Sequence, residues 1–530
     1  MNGNSFGPEG RRSALRAMAA GRVDLLVVGG GITGCGIARD AALRGLTVAL
    51  VEREDFGAGT SGRSSKLIHG GLRYLAYGDF AMVRESVRER HVLRRIAPHL
   101  VRPLTFLMPL WPEMSAAQMR LALWLYDRFA AADERDRHRL VTSAEVAATL
   151  PGIRLPVKAG LAYGEYITDD ARLTLANAMS AAEHGALVAN HAAVTRLIHQ
   201  DGRAAGAAIE DRLTGEAYAV KARVVVNATG PWAGHWLKTV GVAAQKPLLP
   251  SKGVHLLFRA GRLPVPAATI LNARSGRSGF AIRRGEWVYV GTTDEVHPGS
   301  LEEVVADEQA VQDLLALVQD CFPGLNLSEA DIAGTWAGLR PLVAAQGRSA
   351  RDTSRHDEVW ESPEGVITIA GGKLTTYRPM AGRVMQHVAR ALGHRPEPNR
   401  LTAEVPLPGA GPLPELDLPA PAAERLTWLY GARVRELAAY ADEDPAWLEP
   451  LAPGLTALRG EVRLAVEQEM AATLTDLLDR RLSLLLFGSD HGLAAAAPAA
   501  AIMGARLGWT PAEQQRQVEA FRLHARNHIR

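Results

Sequence analysis

Gly29–Gly34 reads GGGITG, between an apolar run, Val23-Asp24-Leu25-Leu26-Val27-Val28, and a small-residue segment, Cys35–Ala42. A second apolar run, Thr47–Val51, ends at Glu52. Strand, glycine turn, helix, strand and acid in this order specify a dinucleotide-binding βαβ unit. Gly29 and Gly30 open the turn, Gly31 allows the backbone to approach a pyrophosphate, and Gly34 brings helix close to strand. Glu52 is placed to accept hydrogen bonds from the adenosine ribose hydroxyls.

The following residues, 53–75, read REDFGAGTSGRSSKLIHGGLRYL. Clustered Gly, Ser and Thr offer many N–H and hydroxyl donors, which suits wrapping an anion. A nicotinamide enzyme would usually continue with another βαβ crossover. A donor-rich loop directly after the ribose acid suits FAD instead, with Thr60, Ser61, Ser64, Ser65, His69, Gly70 and Gly71 as candidate contacts.

Ser64–Leu75, SSKLIHGGLRYL, resembles the aerobic, FAD-dependent glycerol-3-phosphate dehydrogenases, within the wider D-amino-acid-oxidase-like flavoproteins. Ala222–Trp232 is an apolar strand ending in Ala-Thr-Gly, like the family's second flavin turn, with Ala228 and Gly230 as contacts. Ser251–His255 resembles its KGxH strand, Gly291–Asp294 its GTTD turn and Gly334–Leu342 its GxRPL signature. Gly371–Arg378 resembles its GGKLTTYR segment, which adds Gly372, Lys373, Leu374 and Thr375 to the cofactor contacts. The likeness runs from about residue 23 to residue 385 and continues more weakly beyond. Arg63 departs from it, standing where a small residue is easier to accommodate.

The resemblance implies oxidation of sn-glycerol 3-phosphate to dihydroxyacetone phosphate, with hydride passing to flavin N5 and electrons to a membrane quinone. A dianionic substrate requires clustered Arg and Lys. Carried over residue by residue, Arg340 becomes the phosphate or hydroxyl clamp, with Arg73, Tyr74, Lys373 and Thr375 beside it. His255 is the candidate general base, with Arg340 and Lys373 completing the catalytic set. Alternatively, Arg340 stabilises the substrate alkoxide enough for water to take the proton. The turn at Gly371–Thr376 is expected to start a helix whose positive end faces the flavin N1–C2=O region.

At 530 residues the chain exceeds one simple core, and 47% hydrophobic with 22% charged residues is ordinary for a globular protein. A net charge of +3, without basic-aromatic interleaving, gives no basis for nucleic-acid binding. Two cysteines exclude a disulfide framework, and sixteen histidines show no HExxH-like spacing, so no metal is expected. Cys35 is expected to pack beside the turn.

The expected fold class is α/β: a discontinuous Rossmann-like FAD domain, a mixed-sheet substrate domain and a C-terminal helical domain. The FAD domain takes residues 20–75, 155–235 and 332–395, and the substrate or cap domain residues 76–154 and 236–331. A linker with six prolines between Pro406 and Pro421 spans 396–421, and helices fill 422–530. Residues 79–97 read as a helix capped by Asp79, and Thr510-Pro511-Ala512-Glu513 as a helix start. Residues 1–22 lack the apolar core of a signal peptide and read as a mobile arm. Residues 115–132 carry Trp124, Tyr126 and leucines near Arg120 and Arg128, which suits a bilayer headgroup boundary or a buried core helix. The expected location is cytoplasmic, peripheral on the inner face of the cell membrane, with a homodimer as a possible assembly. Rival readings are a glycerol-3-phosphate oxidase using oxygen, an amino-acid oxidase and a non-catalytic flavoprotein.

Overall fold

The computed structural model describes residues 6–71, 78–130, 137–344, 356–415 and 417–529. The strand Arg22–Val28 is apolar almost throughout because it lies centrally in a parallel sheet, between Ala217–Asn227 and Val48–Val51. Val366–Ala370 and Leu187–Ala189 extend the sheet outward on either side, also in parallel. Helices Ile32–Leu43, Asp170–Glu183 and Tyr377–Ala391 pack together over one face. The other face receives the helix Pro8–Ala20.

That N-terminal helix corrects the expectation of a mobile arm. Leu15 and Met18 are fully buried, and the Arg11 guanidinium bonds both oxygens of Asp211, at 3.0 and 2.6 Å, and the Asn190 carbonyl. Leu15 and Met18, one turn apart, supply the apolar contact and Arg11 the polar anchor that dock this helix.

A second, mixed sheet of ten strands carries the remaining β structure. Near one end of it the long strand Leu248–Arg259 lies between Trp287–Gly291 and Ile332–Val343. Three strands grouped by sequence with the FAD segments, Leu67–Ile68, Ala159–Ile167 and Ile332–Val343, hydrogen-bond here instead. All three belong to this mixed sheet rather than extending the parallel one. Helix Glu308–Cys321 covers one face, and residues of the C-terminal unit, including Leu477, Leu485 and Phe521, pack on Tyr289 and Trp336 of the other.

The proline-rich stretch also differs from a free linker. Leu407 and Thr402 are buried, and the buried Arg39 donates to the carbonyls of Thr402 and Val405. This stretch, with a helical turn at Leu401–Glu404, lies against the molecule, and two of its carbonyls are satisfied by a side chain. Helix Phe80–Ile96 starts at Asp79, whose side chain accepts from Met82 N–H. Helix Pro511–Arg526 is capped by Thr510 on Glu513 N–H.

Buried ion pairs join the C-terminal unit to the rest. Asp55, in the loop after Glu52, is held by Arg480 at 2.7 Å and by Arg481 at 2.5 and 2.8 Å. Glu469 receives Arg172 and Arg433. Each carboxylate is fully enclosed, so its pairing is what makes burial tolerable.

Candidate active site

The glycine turn, the second flavin turn and the Gly371–Leu374 turn meet at the carboxyl ends of the parallel strands, around a cleft of about 610 Å³. Of the residues proposed to hold cofactor, Gly29, Gly31, Glu52, Thr60, Ser61, Ala228, Gly230, Gly372, Lys373 and Leu374 line it. Gly34 acts one step back: a Cβ there would stand 1.8 Å from the Gly29 carbonyl, so only glycine lets this helix approach its strand. A Cβ on Gly31 would meet nothing closer than Ser61 Oγ at 3.2 Å. The free space beside Gly31 therefore belongs to the cleft. Ile32 N–H donates to Ser61 Oγ at 2.9 Å, fixing the donor loop against the helix start, where the helix's positive end favours phosphate.

Glu52 lies at the cleft wall, one oxygen accepting from Gly30 N–H at 2.6 Å and the other from Glu54 N–H at 2.9 Å. Burial pushes its carboxyl above the usual range despite these donors. Further ribose hydroxyl donors would favour its anion. Cys35 is buried against Gly30, as packing requires.

Ser64, Ser65, His69, Gly70, Gly71 and Thr375 are not among the residues that line the cleft, and all but Gly71 bond neighbouring segments. Asp170 accepts from Ser64 N–H and Oγ and pairs with Lys66 at 2.5 Å. Neighbouring Asp169 takes Arg284 at 2.6 Å and Ser483. His69 N–H and carbonyl both bond Thr375 Oγ1, tying the IHGG segment to the GGK turn. Gly70 N–H donates to Glu165, which also binds Arg90 and Tyr126. Lys373 precedes a short turn that leads into helix Tyr377–Ala391, the expected helix start. Arg73 and Tyr74 lie outside the described residues.

His255 and Arg340 come together on facing strands of the second sheet. His255 is buried, stacked on Trp336 with ring centres 4.6 Å apart, and its Nε2 lies 2.8 Å from Ser65 Oγ. Burial, with Arg340 and Lys66 adding positive charge, holds its pKa well below the usual histidine value. The ring is therefore neutral, and the same surroundings weaken it as a base, so proton uptake there requires a compensating negative charge. Arg340 is oriented by Asp294 at 3.3 Å, by Thr292 Oγ1 at 3.0 Å and by Ser251 Oγ. The KGxH and GTTD resemblances pointed at these segments without assigning Ser251, Thr292 or Asp294 a role. Sequence reasoning also missed Lys66, Asp170, Trp232 and three C-terminal cleft residues, His524, Asn527 and His528. No local pattern marks the last three.

Residues 24–385 match the family described as FAD dependent oxidoreductase. Residues 379–514 match the C-terminal domain of alpha-glycerophosphate oxidase. The aerobic glycerol-3-phosphate dehydrogenase of Bacillus subtilis is 35% identical over 516 residues, with 92% of each chain covered. The chain belongs to the aerobic, FAD-dependent glycerol-3-phosphate dehydrogenase family. The Staphylococcus saprophyticus member is 38% identical, over 70% of this chain and 67% of its own. The crystal structure of glycerol-3-phosphate dehydrogenase from Bacillus halodurans, complexed with FAD, superposes with a TM-score of 0.82 at 30% identity, covering 99% of both chains. L-proline dehydrogenase from P. horikoshii, 19% identical with a TM-score of 0.55, shares the fold over 72% of this chain. The cofactor of the family is FAD, and the cleft's glycine-lined helix start and donor loop fit it.

Proposed function

We propose that this chain oxidises sn-glycerol 3-phosphate to dihydroxyacetone phosphate and passes the electrons to a membrane quinone. The observation that carries the reading is the pairing of a preoriented Arg340 with a neutral, buried His255, beside the dinucleotide cleft. FAD bound there supplies a hydride acceptor at N5. Arg340, with Lys373, Arg73 and Tyr74, holds the phosphate and the reacting hydroxyl, while Thr375, bonded to His69, positions the turn that carries Lys373. His255 takes the hydroxyl proton, and Ser65 Oγ, within hydrogen-bond reach of Nε2, is placed to convey it. Loss of that proton and of the C2 hydride together leaves the ketone.

Quinone as acceptor is supported by helix Ala116–Ala130. Leu123 and Tyr126 are buried under it, while Trp124 and Leu121 stand 53% and 58% exposed beside Arg120 and Arg128. An exposed Trp and Leu flanked by arginines suit the headgroup layer on the cytoplasmic face of a membrane.

Anaerobic mixing of the yellow protein with glycerol 3-phosphate tests the reading. Absorbance near 450 nm, the band of oxidised flavin, should bleach and then recover on adding a soluble quinone analogue. Failure to bleach refutes the substrate. Recovery as fast with air as with the quinone makes the protein an oxidase.

A further inference from the structure

We propose that the C-terminal tail is part of the FAD site, with His528 and Arg63 forming a cross-tie that holds the dinucleotide in its cleft. The tail is fixed to one wall. Thr335 N–H donates to the His528 carbonyl at 2.7 Å, and Ile529 bridges Gly334 on the strand that carries the cleft residues Gly338 and Leu339. From that wall the His528 ring reaches across to the flavin loop, where its Nε2 lies 3.0 Å from Arg63 Nη1. Arg63, His524, Asn527 and His528 all face the cleft.

The hydrogen-bond directions follow from the partners. His528 Nδ1 lies 3.1 Å from the Thr335 carbonyl, which can only accept, so the ring proton resides on Nδ1. Nε2 is then a lone pair, and Arg63 donates to it. Burial and the Arg63 charge push the His528 pKa down to about 3, so this neutral tautomer persists at physiological pH. Asp479 stands behind the arginine at 3.7 Å and also receives Arg480 and His524, so the guanidinium is braced from the C-terminal unit. Thr60 Oγ1, donating to the Leu339 carbonyl at 2.6 Å, is a second tie between the same walls. Arg63 thus has a positioning role at a place where the family resemblance expects a small side chain.

The ring geometry supplies a discriminating experiment. Asparagine can reproduce the Nδ1 bond to Thr335 but falls short of Arg63, whereas glutamine reaches Arg63. Holoenzymes of wild type, His528→Asn, His528→Gln, Arg63→Ser and the Arg63→Ser/His528→Asn double variant are diluted, and free FAD is followed by its fluorescence. Loss of one such hydrogen bond predicts FAD release about tenfold faster in His528→Asn and in Arg63→Ser. The double variant should be no faster than either single one, and His528→Gln should stay within about twofold of wild type. Release at the wild-type rate in both single variants overturns the proposal. So does His528→Gln releasing as fast as His528→Asn, or effects that multiply in the double variant. If His528→Asn fails to fold, Arg63→Ser, which leaves the Thr335 bond intact, decides on the same criterion.

Discussion

Arg340 was legible because glycine, leucine and proline around it make a poor surface context for a charge, and its strand indeed turns the guanidinium into a polar cradle of Ser251, Thr292 and Asp294. Those three groups orient it, with Asp294 at 3.3 Å. Arg340→Ala should lower kcat/KM for glycerol 3-phosphate about a hundredfold, or about 2.7 kcal/mol, while flavin content stays unchanged. Stopped-flow reduction of the bound flavin measures it directly. An unaltered kcat/KM would make Arg340 a structural partner of Asp294. His255 was legible as a strand histidine. Its stacking on Trp336 and its bond to Ser65 were not, since both join residues far apart in the chain.

Among the elements, those specified by short-range pattern could be read off. The GGGITG turn is marked by the close approach of Gly34 to Gly29, five residues apart, and helix Phe80–Ile96 is announced by its own cap. Helix Pro8–Ala20 escaped because its anchor, the pair of Arg11 with Asp211, spans 200 residues. The strands Ala159–Ile167 and Ile332–Val343 carry no local mark of which sheet they join. For helix Ala116–Ala130 the sequence left burial in the core and contact with lipid as alternatives; Leu123 and Tyr126 are buried, while Leu121 and Trp124 are exposed. Sedimentation with anionic liposomes should pellet the wild type, whereas Leu121→Glu/Trp124→Glu remains in the supernatant with stability changed by less than about 1 kcal/mol. Equal pelleting of a folded double variant removes this helix as the docking face.

Taken whole, the molecule is bound together by buried ionisable groups from distant segments, which makes it sensitive to acid in a definite window. Burial, reinforced by Arg172 near His99 and Arg63 near His528, pushes both histidines down to about 3. Unfolding returns each to about 6.5, so below that pH the unfolded chain binds more protons. The stability they confer is complete above about pH 6.5 and falls as pH drops toward 3, by about 2 kcal/mol per histidine at pH 5. Thermal unfolding between pH 7 and 5 should show the loss, and His528→Gln should lose about 2 kcal/mol less over that interval. A flat wild-type curve would contradict the neutral assignments. The joint at Asp55 has a different bearing, on the order in which the protein comes into being. Its counter-charge Arg480 lies 425 residues downstream, and a buried carboxylate lacking its partner costs about 3–5 kcal/mol. At about 5–20 residues per second, a ribosome delivers Asp55 roughly 20–90 s before that arginine. Throughout that interval the loop after Glu52 is without its neutralising arginines, so the nascent chain makes the nucleotide turn first and completes it last.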